Sequence, residues 1–133
     1  MSPPDNNKPL ILIVDDNPTN LDVLIELLQE DYQLSVAKSG QKALAFVQRF
    51  KPRLILLDIV MPEMDGFEVC RMLKSSPETR DIPIIFISSA TNYQTITTGF
   101  EIGGADYLNK PFIPLEVRKR IHDQLILSET ESK

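Results

Sequence analysis

Asp15, Asp16, Asp58, Ser88 and Lys110 are the residues of this 133-residue chain whose types, taken together, suggest chemistry. Carboxylates are hard oxygen ligands, and with waters completing an octahedron they suit Mg2+ or Mn2+. One histidine, His122, and one cysteine, Cys70, give no set of softer ligands that would favour zinc. A cation held by carboxylates with open positions calls for a substrate rich in oxyanions, phosphate above all. The metal would take one phosphoryl oxygen, Lys110 would neutralise a second as a compact point charge, and the Ser88 hydroxyl could donate to a third. A carboxylate beside such a group can itself attack phosphorus and form an aspartyl phosphate, and Asp58 is the candidate nucleophile.

These residues lie far apart in the chain, so the fold must gather them. Short apolar, β-branched runs begin near Leu10, Gln33, Leu54, Ile84 and Asp106, with helix-length segments between them. Leu21, Leu24, Ile25 and Leu28 recur at helical spacing, as do Ala43, Phe46, Val47 and Phe50, and Gly66, Val69, Cys70 and Leu73. The stretch Thr95–Ile102 predicts a fourth, weak helix, because threonine and glycine are poor helix formers. Val117, Ile121 and Leu125 mark one stripe of a fifth. Asn17-Pro18, Ser39, Asp65 and Pro114 have the chemistry of helix starts.

Strand and helix alternating five times predict an α/β domain with a parallel sheet covered on both faces. Leu10–Val14, Leu54–Leu57 and Ile84–Ile87 are unbroken apolar runs, as doubly covered strands require. Right-handed crossovers put all the strands' C-terminal ends on one edge, where ligands bind at the point of strand-order reversal. The first strand delivers Asp15 and Asp16 there, the third Asp58, the fourth Ser88 and the fifth Lys110. Acidic residues after strands are often only caps or turn residues. Crowding three of them, however, raises their pKa values and destabilises the fold unless a cation intervenes.

Composition narrows the classes. Apolar residues make up 42% and charged residues 25%, as in an ordinary globular domain rather than a disordered chain. A net charge of −5 argues against direct nucleic-acid binding, and a single cysteine excludes an internal disulfide framework. No apolar run approaches the roughly 20 residues of a membrane span, and Met1–Asp5 lacks the features of an export signal, so a cytoplasmic domain is expected. Residues 1–8 and 128–133 are polar and read as an N-terminal tail and a C-terminal tail or truncated linker around a domain at 9–127.

Four segments carry a family resemblance: Ile13-Val14-Asp15-Asp16-Asn17-Pro18, Leu57-Asp58 through Met61-Pro62 to Asp65-Gly66, Pro83 to Ser88, and Gly104-Ala105-Asp106-Tyr107-Leu108-Asn109-Lys110-Pro111-Phe112. In order and interval they resemble the receiver domain of two-component response regulators, of the single-domain chemotaxis-regulator type. The resemblance implies a flavodoxin-like, doubly wound (βα)5 fold with strand order 2-1-3-4-5. It implies that Asp58 accepts a phosphoryl group from a phosphohistidine on a sensor kinase or phosphotransfer protein. Asp15, Asp16 and Asp58, with the main-chain carbonyl of Val60, would hold Mg2+. Ser88 and Lys110 would contact the phosphoryl oxygens, Tyr107 would swing inward behind Ser88, and the Lys110–Pro111 bond would be cis. Such a domain catalyses only its own phosphorylation and dephosphorylation and is no enzyme beyond that. Its output would pass through the fourth helix, fifth strand and fifth helix to an output domain or target, with a homodimer through that surface possible.

Ser88-Ser89 offers two hydroxyls, and Ser88 fits the intervals, five residues after Pro83 and twenty-two before Lys110. Val60 and Ala90 would flank the phosphate and supply no acid or amide for an attacking water. A metal-dependent phosphohydrolase would place a second acid where Val60 stands. A flavin- or nucleotide-binding protein would place a Gly- or Ser/Thr-rich turn where Asp15-Asp16-Asn17-Pro18 stands. His122 reads as a surface helix residue, and Cys70 as packing. With only six residues after Leu127, a stand-alone receiver and one excised from a larger signalling protein both fit the chain.

Overall fold

The apolar runs become strands and the periodic segments become helices in strict alternation. In order they are β1 (Leu10–Val14), α1 (Pro18–Leu28), β2 (Gln33–Ala37), α2 (Gly40–Arg49), β3 (Leu54–Asp58), α3 (Gly66–Lys74), β4 (Ile84–Ser88), α4 (Tyr93–Glu101), β5 (Asp106–Asn109) and α5 (Pro114–Glu131). The computed structural model describes residues 8–89 and 92–131. The expected tail at 1–8 lies outside the described residues except for Lys8, whose carbonyl accepts a hydrogen bond from the Gln33 side chain (3.1 Å). Ala90 also lies outside the described residues, as do residues 132–133 of the expected C-terminal tail.

All strand pairs are parallel, in the order β2-β1-β3-β4-β5. Side chains alternate across the sheet. Ile11, Ile13, Leu54, Leu56, Ile85, Ile87 and Leu108 pack with Leu21, Leu24 and Leu28 of α1 and Val117, Ile121 and Leu125 of α5. Leu12, Val14, Ile55, Leu57, Ile84, Phe86 and Tyr107 face the other way, toward Ala43 and Val47 of α2 and Val69, Cys70 and Leu73 of α3. The expected caps form: Asn17 accepts from the N–H groups of Thr19 and Asn20, Ser39 from Lys42, and Asp65 from Glu68.

Three boundaries depart from the sequence expectation. Phe50 is half exposed rather than on the buried stripe of α2. It takes extended backbone as that helix's C-cap, and its ring lies 5.1 Å from that of Phe46. Helix α4 starts earlier, at Tyr93, because Asn92 caps it by accepting from the Thr95 N–H (2.8 Å). Helix α5 does not stop at Leu127 but continues to Glu131, and Glu129 pairs with Arg53 ahead of β3 at 2.6 Å.

Candidate functional site

The site is assembled by strand ends. Asp15 directly follows β1, and its N–H extends the ladder to the Ala37 carbonyl (3.1 Å). Asp58 is the last residue of β3, the central strand, paired with Ile87 of β4. Ser88 closes β4 opposite Asn109, and the Lys110 N–H donates to the Ser88 carbonyl (3.1 Å), which fixes Lys110 beside it. The Lys110–Pro111 bond is cis. Asp15, Asp58 and Ser88 are buried, whereas Asp16 and Ser89 are exposed.

The acids converge. Asp15, Asp16 and Asp58 each present a carboxylate oxygen within 4.8 Å of the others. Asp58 Oδ2 lies 3.5 Å from Lys110 Nζ, and its Oδ1 accepts from the Val60 N–H (3.2 Å). Burial pushes the Asp58 carboxyl up to about 6, and the neighbouring Asp15 charge and a hydrogen bond between the two side chains add to this. Lys110 and the Val60 N–H pull the other way without cancelling it. Three clustered carboxyl groups, when ionised, hold more negative charge than one ammonium offsets. An all-oxygen donor set of that charge fits a hard divalent cation.

Local sequence explains the shape of this pocket. Gly66 opens α3 directly against β3, its N–H donates to the Ile59 carbonyl (2.8 Å), and a Cβ there would run into the Asp58 carbonyl oxygen. Asp65 is spent as the α3 cap and is no ligand. The connecting loop turns through Glu63 at φ 69°, and Val60 is 75% exposed at the rim of the site. On the α4 side, Tyr107 is buried between Phe86 and Phe100, at centroid distances of 5.5 and 5.4 Å, and its hydroxyl donates to the Thr95 carbonyl (2.7 Å). Burial raises the Tyr107 pKa above the usual phenol value.

Each residue expected at the site therefore stands at this edge or directly behind it. His122 does not; it is exposed on α5. Two residues were not anticipated. Asn20 reaches back from α1 to donate to Asp15 Oδ2 (3.2 Å); the available signal was a carboxamide one helical turn inside the cap that follows the paired acids. Gly99 of α4 faces Tyr107 so closely that a Cβ would overlap the phenol hydroxyl. A lone glycine inside a helix is a recognisable sign of such close approach.

Residues 11–122 match the family model of the response regulator receiver domain. A Vibrio cholerae protein named as a probable cyclic di-GMP phosphodiesterase is 42% identical over 126 residues, covering 94% of this chain and 28% of that protein. The response regulator PleD of Caulobacter vibrioides is 38% identical over 128 residues, covering 92% of this chain and 28% of the relative. The chain thus spans under a third of the length of these two curated relatives. Among solved structures, the signal receiver domain of a signal transduction histidine kinase from Syntrophus aciditrophicus superposes with a TM-score of 0.81 at 34% identity, over 88% of this chain and 89% of that one.

Proposed function

The chain belongs to the response regulator receiver domain family, and on that premise we propose that it is a phosphorylation-activated signalling switch with Asp58 as the phosphorylated residue. The observation that carries this reading is the buried Asp58 carboxyl, raised to about 6 at the end of the central strand, with Lys110 Nζ 3.5 Å away. In its ionised form an Asp58 oxygen attacks the phosphorus of a phosphohistidine on a sensor kinase or phosphotransfer protein. A P–O bond forms, the P–N bond breaks, and the imidazole, already protonated on its other ring nitrogen, leaves neutral with the bonding electrons. Reset is the attack of water on the same phosphorus, which breaks the P–O bond to Asp58 and releases inorganic phosphate. The chain acts only on itself in both steps and turns over no separate substrate.

Asp15, Asp16, Asp58 and the Val60 carbonyl would hold Mg2+ or Mn2+, which when bound supplies positive charge against the phosphoryl oxygens. Lys110 neutralises a further oxygen. Ser88 turns its hydroxyl toward the phosphoryl group, and Tyr107 occupies the space behind it. The Ser88 and Lys110 contacts to phosphate exist only in the phosphorylated protein, so they supply the differential free energy that shifts the conformational equilibrium.

Output passes through the surface of α4, β5 and α5. Tyr93, Phe100, Ile113 and Leu115 expose apolar side chains there. Arg120 bridges Asp106 (2.6 Å) and Glu116 (3.0 Å) beside them. A mixed apolar and charged surface of this kind suits a target protein, an output domain or a second copy of the chain. None of the described helices is long and apolar enough to cross a membrane.

Incubation with acetyl phosphate and Mg2+ should add one phosphoryl group, read by intact mass, and D58N should add none. An unchanged mass in the parent protein would overturn the reading. Beryllofluoride with Mg2+ should increase the solution size if the output surface pairs two copies; an unchanged size would leave a target protein or output domain as its partner.

A further inference from the structure

We propose that Asn20 is a positioning residue of the phosphorylation site: its side-chain amide sets the plane of the Asp15 carboxylate and so the direction in which Asp15 presents oxygen to a divalent cation. The proposal rests on the switch reading above and concerns a residue that reading does not use.

Asp15 is fully buried where β1 ends. Its two oxygens are engaged from different directions. Oδ1 accepts from the Asn17 N–H at 2.9 Å, and Oδ2 accepts from Asn20 Nδ2 at 3.2 Å. One donor on each oxygen resists rotation about the terminal torsion, which in aspartate is otherwise broad. Each oxygen keeps a further lone-pair direction for a cation or its water. A carboxylate oxygen of Asp15 also lies within 4.8 Å of one on Asp58, so turning one carboxylate would disturb the other.

Asn20 is itself held in place. It lies in the first turn of α1, and its N–H donates to the Asn17 side-chain oxygen (3.2 Å), which also caps Thr19 (2.8 Å). Asn17 thus binds the helix start with its side chain and Asp15 with its N–H, while Asn20 closes the loop from the helix side. The choice of side chain is informative. A neutral amide donates to a carboxylate without placing positive charge beside the cation. Lysine or arginine at position 20 would donate but would compete with the cation, and leucine or alanine would leave Oδ2 unheld.

A purely structural role for Asn20 predicts something different. Asparagine is a weaker helix former than alanine, so N20A should not weaken α1 and removes only the contact to Asp15. The experiment is calorimetric titration of Mg2+ into the parent protein, N20A and N20Q, with melting temperatures measured in EDTA. Loss of a group that orients a metal ligand weakens metal binding by about tenfold or more. N20A should therefore bind Mg2+ about tenfold more weakly, while still showing a cooperative melting transition in EDTA. N20Q, which keeps the amide, should bind more tightly than N20A. An N20A affinity equal to the parent's, or an N20Q no better than N20A, overturns the assignment. A parent protein that binds no Mg2+ would instead sink the metal site of the proposed function.

Discussion

The two faces of the sheet are built for different purposes. The buried residues of the face toward α1 and α5 are all aliphatic, with Leu21, Leu24, Leu28, Val117, Ile121 and Leu125 locked against isoleucines and leucines of four strands and the aromatic Tyr32 and Phe112 only partly buried against them. The face toward α2, α3 and α4 carries Cys70, Met61 and a chain of aromatic rings, Phe67 to Phe86 to Tyr107 to Phe100, at centroid distances of 5.3 to 5.5 Å. Its α4 end is thin: Gly99 is the one buried residue of that helix, whereas α1 and α5 each bury a full stripe. Helix α4 also contains three threonines and a glycine, so neither propensity nor packing anchors it strongly. The lesson is that one face can serve as a platform while the other yields, and that the yielding end lies behind Ser88 and Lys110. Elements that move in switching are drawn from the low-stability parts of a fold.

Core truncations test this contrast most directly. Ile121→Ala on the platform face removes a fully buried side chain, and such changes cost about 3 to 4 kcal/mol. Ile96→Ala removes a half-buried side chain from α4 and should cost only about 1 kcal/mol by the area it covers. Urea denaturation of both variants measures the difference. Equal losses would mean that α4 is anchored as firmly as α5 and that the contrast between the faces is false.

The acidic edge lies between the faces, and its effect on stability has a definite sign. The Asp58 carboxyl is raised from 3.8 to about 6 in the folded protein without a cation. From pH near 4 to about 6 the folded state therefore holds a proton that the unfolded chain has released. Stability falls as pH rises through that window, by at most about 3 kcal/mol, and is then flat for this group. D58N has no such proton. In EDTA it should be flat across the window and more stable than the parent above about pH 6, and saturating Mg2+ should narrow the gap by stabilising the parent. Parallel stability curves for the two proteins would show that Asp58 bears no such strain. The test sharpens the comparison because it changes neither face's packing.

Much of this organisation could be read before any coordinates. The doubly covered strands β1, β3 and β4 announced themselves as unbroken apolar runs, and Asn17, Ser39 and Asp65 as caps, because burial and orphan N–H groups act locally on sequence. The site residues were legible because parallel topology sends every strand end to one edge. Phe50 was misread because periodicity alone does not stop a helix. The stop signal was Pro52, which biases Lys51 toward extended backbone and ends α2 just before it. The polarity of Ser128–Glu131 suggests an end to the domain, but polar residues can continue a helix, and Glu129 gains Arg53 from a different part of the chain. Asn20 was out of reach for a similar reason: its part depends on how the buried Asp15 side chain turns, and spacing does not encode that torsion.

Gly99→Ala has a modest expected effect on overall stability and the most localised one. Alanine should strengthen α4 by about 1 kcal/mol, since glycine is the weakest helix former after proline. Its Cβ would overlap the Tyr107 hydroxyl, so the ring must leave its place between Phe86 and Phe100, losing buried contact as well as its hydrogen bond to the Thr95 carbonyl, together a loss of about 2 to 3 kcal/mol. The loss outweighs the gain, and urea denaturation should show a net destabilisation of about 1 to 2 kcal/mol. The location of the change is the informative part. Near-ultraviolet spectra should report a tyrosine moved toward water. Amide exchange should quicken around Phe86 and β5, while α1 and α5 keep the parent's protection. A tyrosine signal identical to the parent's would mean that the notch at Gly99 does not hold Tyr107. Exchange altered equally on both sides of the sheet would mean that the two faces respond as one body, and the division into platform and yielding face would fail with it.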